Sequence, residues 1–242
     1  MGGMRQERFT AHWESFDSGL EQALCWRGKD YASLLPQPLD GKDRDVCPAF
    51  VFALAGGCGF KGRDVVELAL ALEYTYLSFR VHRFIRDMEL AEQARQYGVL
   101  FGDFFAAQVL ASLSGDLLYP HTAKFTETMR TMNEGALLRG RLRENADTAA
   151  WREVLRREKA ALLLPVRVFA EWASLAQEET QLLERLAAEL GVLWGAGEEG
   201  RGDLLPGGLT AAETLISETR PAWRDGLRGF FLDLTSEVGA GV

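Results

Sequence analysis

Apolar residues recur along this chain at three- and four-residue steps. Val65, Leu68, Ala69, Leu72, Tyr76 and Phe79 keep that rhythm, which places them on one stripe of a helix that faces a core. From 99 to 113 the sequence VLFGDFFAAQVLASL is almost continuously apolar. It predicts a helix buried on most sides, either central or at a subunit interface. Residues 151–176 repeat the helical signal, with Pro165 expected to kink it or to mark a junction. No sustained period-two alternation and no Asn-Gly or Asp-Gly hairpin is present, so the chain reads as nearly all α, one domain over 1–242. Breaks are expected near 36–48, 56–62, 115–120, 145–148 and 195–208, each rich in Gly, Pro, Asn or Asp. No repeat or low-complexity tract interrupts the pattern.

One helix end stands out. The apolar run ELALALEYTYLSFR continues into VHRFIRDM at 81–88, where a core-facing helix acquires a histidine, two arginines and a lone aspartate. A solvated helix end that suits the helix dipole is the plain reading of Arg80, Arg83 and Arg86, and a loose diphosphate clamp is the other. His82 reads as a helix-end or core histidine, since no acid beside it completes a metal set.

Composition narrows the classes. With 242 residues, 47% of them hydrophobic, the chain can bury one sizeable core. A net charge of -8 and a pI near 5.1 argue against a surface built for nucleic acid or anionic lipid, and leave at most a peripheral membrane contact. Cys25, Cys47 and Cys58 are odd in number and lack paired spacing, which fits structural thiols in a reduced, cytoplasmic setting. No apolar h-region lies between Met1 and Asp17, so no standard signal peptide is expected there, and Glu67 and Glu73 interrupt the apolar run at 65–79. No Ser/His/Asp set, Walker loop or GxGxxG is found, and Gly56-Gly57-Cys58-Gly59 reads as a loop between helices.

The order of these segments resembles the trans-isoprenyl diphosphate synthase family along most of the chain. The family's GKRxRPA resembles Gly41, Lys42, Arg44, Pro48 and Ala49, with extra residues before the proline. Its GD helix resembles LFGDFFAA, which contains Gly102 and Asp103, and its KTAxL resembles Lys159, Ala160, Ala161 and Leu162. LGxxFQxxDDxxD resembles Leu190, Gly191, Trp194, Glu198 and Glu199, and DLxxGxxT resembles Asp203, Leu204, Gly208 and Thr210. The first aspartate-rich motif, in the form ExxHxxxLxHDDxxD, resembles Glu73 followed by His82, Arg83, Phe84, Ile85, Arg86 and Asp87, with the two leading aspartates replaced by Arg83 and Phe84.

The resemblance implies an all-α isoprenoid-synthase-like bundle around a central apolar cavity. In such enzymes magnesium ions held by carboxylates on two facing helices pull diphosphate from an allylic carbon. Arg83 puts a permanent positive charge where a dication would sit, and Phe84 offers no ligand. At about 4 Å and an effective dielectric near 20, turning attraction into repulsion costs several kcal/mol per charge pair. The second motif has Gly195 for the family glutamine and Gly202 for the third acid, and glycines at 195, 197, 200 and 202 argue against a persistent helix, so Glu198 and Glu199 read as loop acids. The arginine-pair loop after the first motif is missing, and the threonine of the lysine-threonine pair is Ala160.

This pattern is similar to the small, non-catalytic component of heteromeric polyprenyl diphosphate synthases, including the heptaprenyl and hexaprenyl types that supply menaquinone side chains. There Thr131-Met132-Asn133-Glu134 and the basic stretch 138–143 have counterparts. The resemblance implies a heterodimer with a catalytic subunit bearing intact aspartate-rich motifs, a homodimer when alone being possible, an isoprenoid chain in the cavity and no cofactor of this chain's own. Lys42, Arg44 and Lys159 are candidate phosphate-binding groups, with a surface role as their plainer reading. Gly102 is expected to permit close helix approach, Asp103 to lie near a helix start, and Phe101, Phe104 and Phe105 to serve as core or interface anchors, with Gly102, Asp103, Phe104 and Phe105 as the candidate interface residues. Two other classes stay open: an active magnesium-dependent prenyltransferase or terpene-synthase relative using Asp87, Glu198 and Glu199, and a stand-alone isoprenoid-binding protein.

Overall fold

In a computed structural model the backbone is described for residues 9–26, 29–30, 41–142 and 146–239, and the side chains for 9–25, 45–142 and 146–236. Among these residues the chain forms α1 (Thr10–Leu24), α2 (Gly41–Cys58), α3 (Arg63–Asp87), α4 (Glu92–Leu113), α5 (Thr122–Arg139), α6 (Thr148–Glu158), α7 (Leu163–Trp172), α8 (Gln177–Glu198), α9 (Leu205–Glu218) and α10 (Pro221–Gly239). Short 3-10 turns at Tyr119–His121, Ala160–Leu162 and Gly202–Leu204 join consecutive helices. The extended backbone described is a two-residue antiparallel pairing of Cys25–Trp26 with Lys29–Asp30. The all-α expectation therefore holds.

Two helices form the centre. Every residue from Val46 to Ala55 of α2 is buried, and α3 buries most positions from Val65 to Val81. A helix that is apolar on all sides must lie inside, because no polar face is available for water. α10 and α3 cover α2, α1 and α4 cover α3, and α8 packs against α6, α7, α9 and α10. Aromatic side chains fill the spaces between layers, including Phe16, Phe50, Phe52, Phe105, Phe169 and Trp223, all of them under 2% exposed. No described helix is long and apolar enough to cross a membrane.

Tertiary packing overrides several expected breaks. α2 runs through Pro48 and on through Gly56, Gly57 and Cys58, so the glycine-rich loop is confined to Gly59–Gly62. A Cβ on Gly57 would meet the Trp223 ring at 2.5 Å, so the glycine is there for close approach rather than to end the helix. The break within 151–176 falls at Lys159–Leu162, and Pro165 is the third residue of α7, where its missing N–H has no helical acceptor to lose. α8 likewise continues through Gly195 and Gly197, and corrects the expectation of a loop. Gly195 faces Leu155, and the helix ends only at Glu198. Its end is a Schellman turn: Gly200 takes φ +63, Arg201 N–H donates to Ala196 O (2.9 Å) and Gly200 N–H to Gly197 O (3.4 Å).

α4 departs from the picture of a helix buried on most sides. It presses Gly98, Gly102, Phe105, Val109 and Leu113 onto α3 and leaves Val99, Leu100 and Leu110 exposed. Asp103 lies in its middle, not near its start.

These contacts predict opposite outcomes for two glycines. A Cβ on Gly135 of α5 would stand 2.8 Å from the backbone N of Glu158, which cannot yield, so Gly135→Ala should cost about 1–3 kcal/mol in urea unfolding. Gly207 in α9 faces open space, and Gly207→Ala should stabilise by roughly 0.5–1 kcal/mol.

Candidate functional site

The C-terminal ends of α3, α5, α6 and α8 converge, and each brings charged side chains with it. Residues 76, 80, 83 and 87 follow one another at helical spacing on α3, so they share one face. Arg139 is the last residue of α5, Glu158 ends α6 with Lys159 as its C-cap, and Glu198 ends α8 with Glu199 as its C-cap. Helix C-termini carry partial negative charge, so four of them brought together create a field that favours cations. Here the cations belong to the chain.

The inner layer is a held ammonium. Lys159 is 2% exposed; its Nζ donates to Glu198 Oε2 at 2.7 Å and to the Tyr76 hydroxyl at 2.9 Å. Tyr76 in turn donates to Glu198 Oε1 at 3.3 Å. The ammonium also lies 3.7 Å from the Trp194 ring centroid and 4.9 Å from that of Tyr76, a cation–π arrangement that offsets part of its desolvation. Burial pushes the Lys159 amine below the ordinary lysine range, with the Arg83 and Arg80 charges adding to that effect and Glu198 opposing it. Burial works against ionisation of Glu198 as well, yet Lys159, Arg80 and Arg83 hold its carboxyl below the usual range. The carboxylate is the charge the pair secures.

The outer layer is a two-by-two lattice of arginine and glutamate. Arg83 Nη1 lies 3.3 Å from Glu158 Oε2, its Nη2 bonds Glu199, and its Nε reaches Asp87 at 3.3 Å. Arg139 grips Glu158 through two bonds of 2.8 and 2.6 Å and reaches Glu199 at 2.8 Å. Glu158 has a side-chain exposure of 0%, against 12% for Arg139 and 19% for Arg83. Burial weakens the Arg83 charge, but Glu158 and Glu199 outweigh it and raise the guanidinium pKa above the ordinary arginine value. Arg86 Nε donates to Asp87 at 2.7 Å, and burial of that aspartate is outweighed by Arg86 and Arg83, which lower its pKa. At the rim the Trp151 ring has the Arg139 and Arg201 guanidiniums each 5.0 Å from its centroid, and Asp203 pairs with Arg201.

This arrangement does not fit magnesium. The carboxylates of Asp87, Glu158 and Glu199 are spread around a guanidinium fork, each already bonded to it, and a hard dication needs oxygens converging on one point. Among the described residues no group of three His, Cys, Asp or Glu side chains is placed to hold a metal ion.

Several expected residues meet here and others do not. Arg83, Asp87, Lys159, Glu198 and Glu199 are brought together. Arg83 is no solvated helix end, Lys159 is no surface lysine, and the two glutamates are no loop acids: all four are paired around the site. His82 points the other way, toward α4, where its ring fills the space a Cβ on Gly102 would need and its Nε2 lies 3.5 Å from Asp103. Phe84 is half-buried, Phe105 is fully in the core, and Phe101 and Phe104 pack at its edge. Lys42 and Arg44 belong to the first turns of α2, but their side chains lie outside the described residues. Tyr76 was legible only as part of the core-facing stripe of α3, and Glu158 and Trp151 gave no signal of a role here. Arg139 lay within the basic stretch 138–143, which is itself uninformative about pairing.

The sequence matches no protein-family model and no curated protein. The fold does match solved structures, and it is that of the all-α isoprenoid synthases. A geranylgeranyl pyrophosphate synthase from Corynebacterium glutamicum aligns with TM-score 0.74 and 16% identity over 97% of this chain and 93% of that one. A decaprenyl diphosphate synthase from Rhodobacter capsulatus aligns with TM-score 0.68 and 13% identity over 96% and 84%. A deletion mutant of the heterotetrameric geranyl pyrophosphate synthase of mint gives TM-score 0.68 and 13% identity over 94% and 99%.

Two outcomes follow from the charge network. Glu158→Gln leaves two partly buried guanidiniums sharing Glu199 alone and should cost about 2–4 kcal/mol of stability by chemical denaturation. Because the Glu198 and Asp87 pKa values are depressed on folding, their contribution is complete above the ordinary carboxylate range near pH 4–4.5 and is lost as pH falls through the depressed values. Unfolding curves taken downward from pH 7 should therefore lose stability twice: from about pH 6.5, where His12 and His121, whose pKa values burial lowers, bind protons more readily once unfolded, and again through and below the carboxylate range, the second fall being shallower in Glu198→Gln.

Proposed function

We propose that this chain is a degenerate member of the trans-isoprenyl diphosphate synthase family. In this reading it is the non-catalytic component of a heteromeric polyprenyl diphosphate synthase, of the heptaprenyl or hexaprenyl kind that makes menaquinone side chains. The observation that carries the proposal is the Arg83–Glu158–Arg139–Glu199 lattice, in which side-chain cations take up the carboxylates at the junction of the two degenerate motifs. A site in which every acid is already neutralised has no free ligand for the magnesium that such chemistry requires. The partner then supplies the intact motifs, and this chain shapes the elongation tunnel for the growing isoprenoid. That the mint synthase is heterotetrameric supports an arrangement in which a chain of this fold works beside a different one.

An active enzyme is the competing reading, favoured by the survival of Glu198 and Glu199 at the end of α8, opposite Asp87 at the end of α3. One assay separates the two. The purified chain should show no magnesium-dependent condensation of isopentenyl with farnesyl diphosphate, and mixing it with a synthase subunit bearing intact aspartate-rich motifs should give turnover above that subunit alone. Turnover by this chain alone, abolished by Glu198→Gln/Glu199→Gln, would establish the enzyme instead.

A further inference from the structure

Apart from the lattice, α5, α6, α7 and α8 line an open groove of about 790 Å3 that shares no residue with it. Each of the four helices contributes guanidiniums: Arg130 from α5, Arg156 and Arg157 from α6, Arg167 from α7 and Arg185 from α8. Three carboxylates, Glu127, Glu134 and Glu184, share the lining, so its cations outnumber its anions by two in a chain whose net charge is -8. Glu153, which pairs with Arg156 and Arg157, lowers that excess by one. A concave surface focuses such a field, so an acidic chain can still attract anions here.

The ion pairs inside the groove are loose. Glu134 accepts from Arg130 and, at 2.8 Å, from Arg157; Glu184 accepts from Arg167 at 2.7 Å, and Arg185 has no ion pair among the described residues. The four paired guanidiniums keep 34–58% of their side chains in solvent, against 12–19% for those of the lattice. Pairs exposed to that degree contribute little net stability, so an incoming anion displaces a carboxylate at small cost. A guanidinium fork matches two oxygens of a phosphate as well as those of a carboxylate. The rest of the lining narrows the ligand. Its apolar side chains are Leu163 and Ala188, with no aromatic ring beside them, so nothing in the groove would stack a base or anchor a peptide side chain or an acyl chain. We infer that the groove binds a soluble anion carrying several phosphate groups and no base, an inorganic oligophosphate in its simplest form, and that Glu134 is the carboxylate this anion displaces. The inference does not depend on the proposed subunit role.

Titration calorimetry with sodium tripolyphosphate, at about 50 mM salt and without divalent cations, should give a micromolar Kd for the wild-type chain. No binding up to the millimolar range would overturn the inference. Arg130→Gln/Arg185→Gln alters two exposed positions, with folding checked by circular dichroism, and should weaken binding at least about tenfold. Unchanged affinity in that variant would place the anion elsewhere on the chain and equally overturn the inference. Glu134→Gln removes the competing carboxylate and releases two guanidiniums, so it should tighten binding about fivefold or more; unaltered or weaker binding would remove Glu134 from its assigned role. ATP should bind within about threefold of tripolyphosphate, since its base finds no platform. A preference for ATP of about tenfold would reveal a base site, and tighter binding of a hexaglutamate peptide an acidic-protein surface; either result would sink the base-free phosphate ligand. Retention on phosphatidic-acid vesicles that the double variant loses, without binding of free tripolyphosphate, would replace the soluble ligand by a lipid headgroup and so overturn it too.

Discussion

Two guanidiniums, Arg83 and Arg139, hold two carboxylates, Glu158 and Glu199, and through them the ends of four helices. Burying one such charge alone is prohibitively costly, so each member is tolerable only because the others are present. The bidentate grip of Arg139 on Glu158 adds direction to the attraction, since a planar fork matches a carboxylate in one orientation. The helices whose C-termini meet at this lattice are positioned by the same pairs that neutralise it.

The lattice also explains how the fold tolerates its own electrostatics. Four helix C-termini brought together favour positive charge between them. A metal ion would be exchangeable and would tie stability to its supply. Arginine is permanent, remains protonated at any relevant pH, and arrives with the chain. Lys159 extends the same solution inward, where the Trp194 and Tyr76 rings and the Glu198 carboxylate take the place of water around its ammonium.

Some of this was legible in the sequence and some was not, for identifiable reasons. The helical period of 65–79 and the absence of strand alternation announced an all-α fold, because periodicity reports which residues must face a core. Breaks assigned to glycine and proline were less secure. Gly56, Gly57, Gly195 and Pro48 all lie within helices, and at Gly57 and Gly195 the Trp223 and Leu155 side chains occupy the space that a larger residue would need. Within the site, Arg83, Asp87, Lys159, Glu198 and Glu199 were singled out individually, while Glu158 passed unnoticed beside Lys159. Its importance comes from burial, and nothing in a one-dimensional pattern separates a glutamate that ends a helix in water from one that ends it against two arginines.

The sequence by itself determined the class of fold, the helical character of nearly every segment and the loss of acid at positions 83 and 84, because these depend on local periodicity and residue chemistry. The tertiary structure alone decided that the lost acids were replaced by a neutralising lattice, and that α4 turns Phe105 inward and Leu100 and Leu110 outward. Both are matters of which distant residues share a small volume. Arg83 and Glu199 are separated by 116 positions, and only packing of α3 against α8 makes them one interaction.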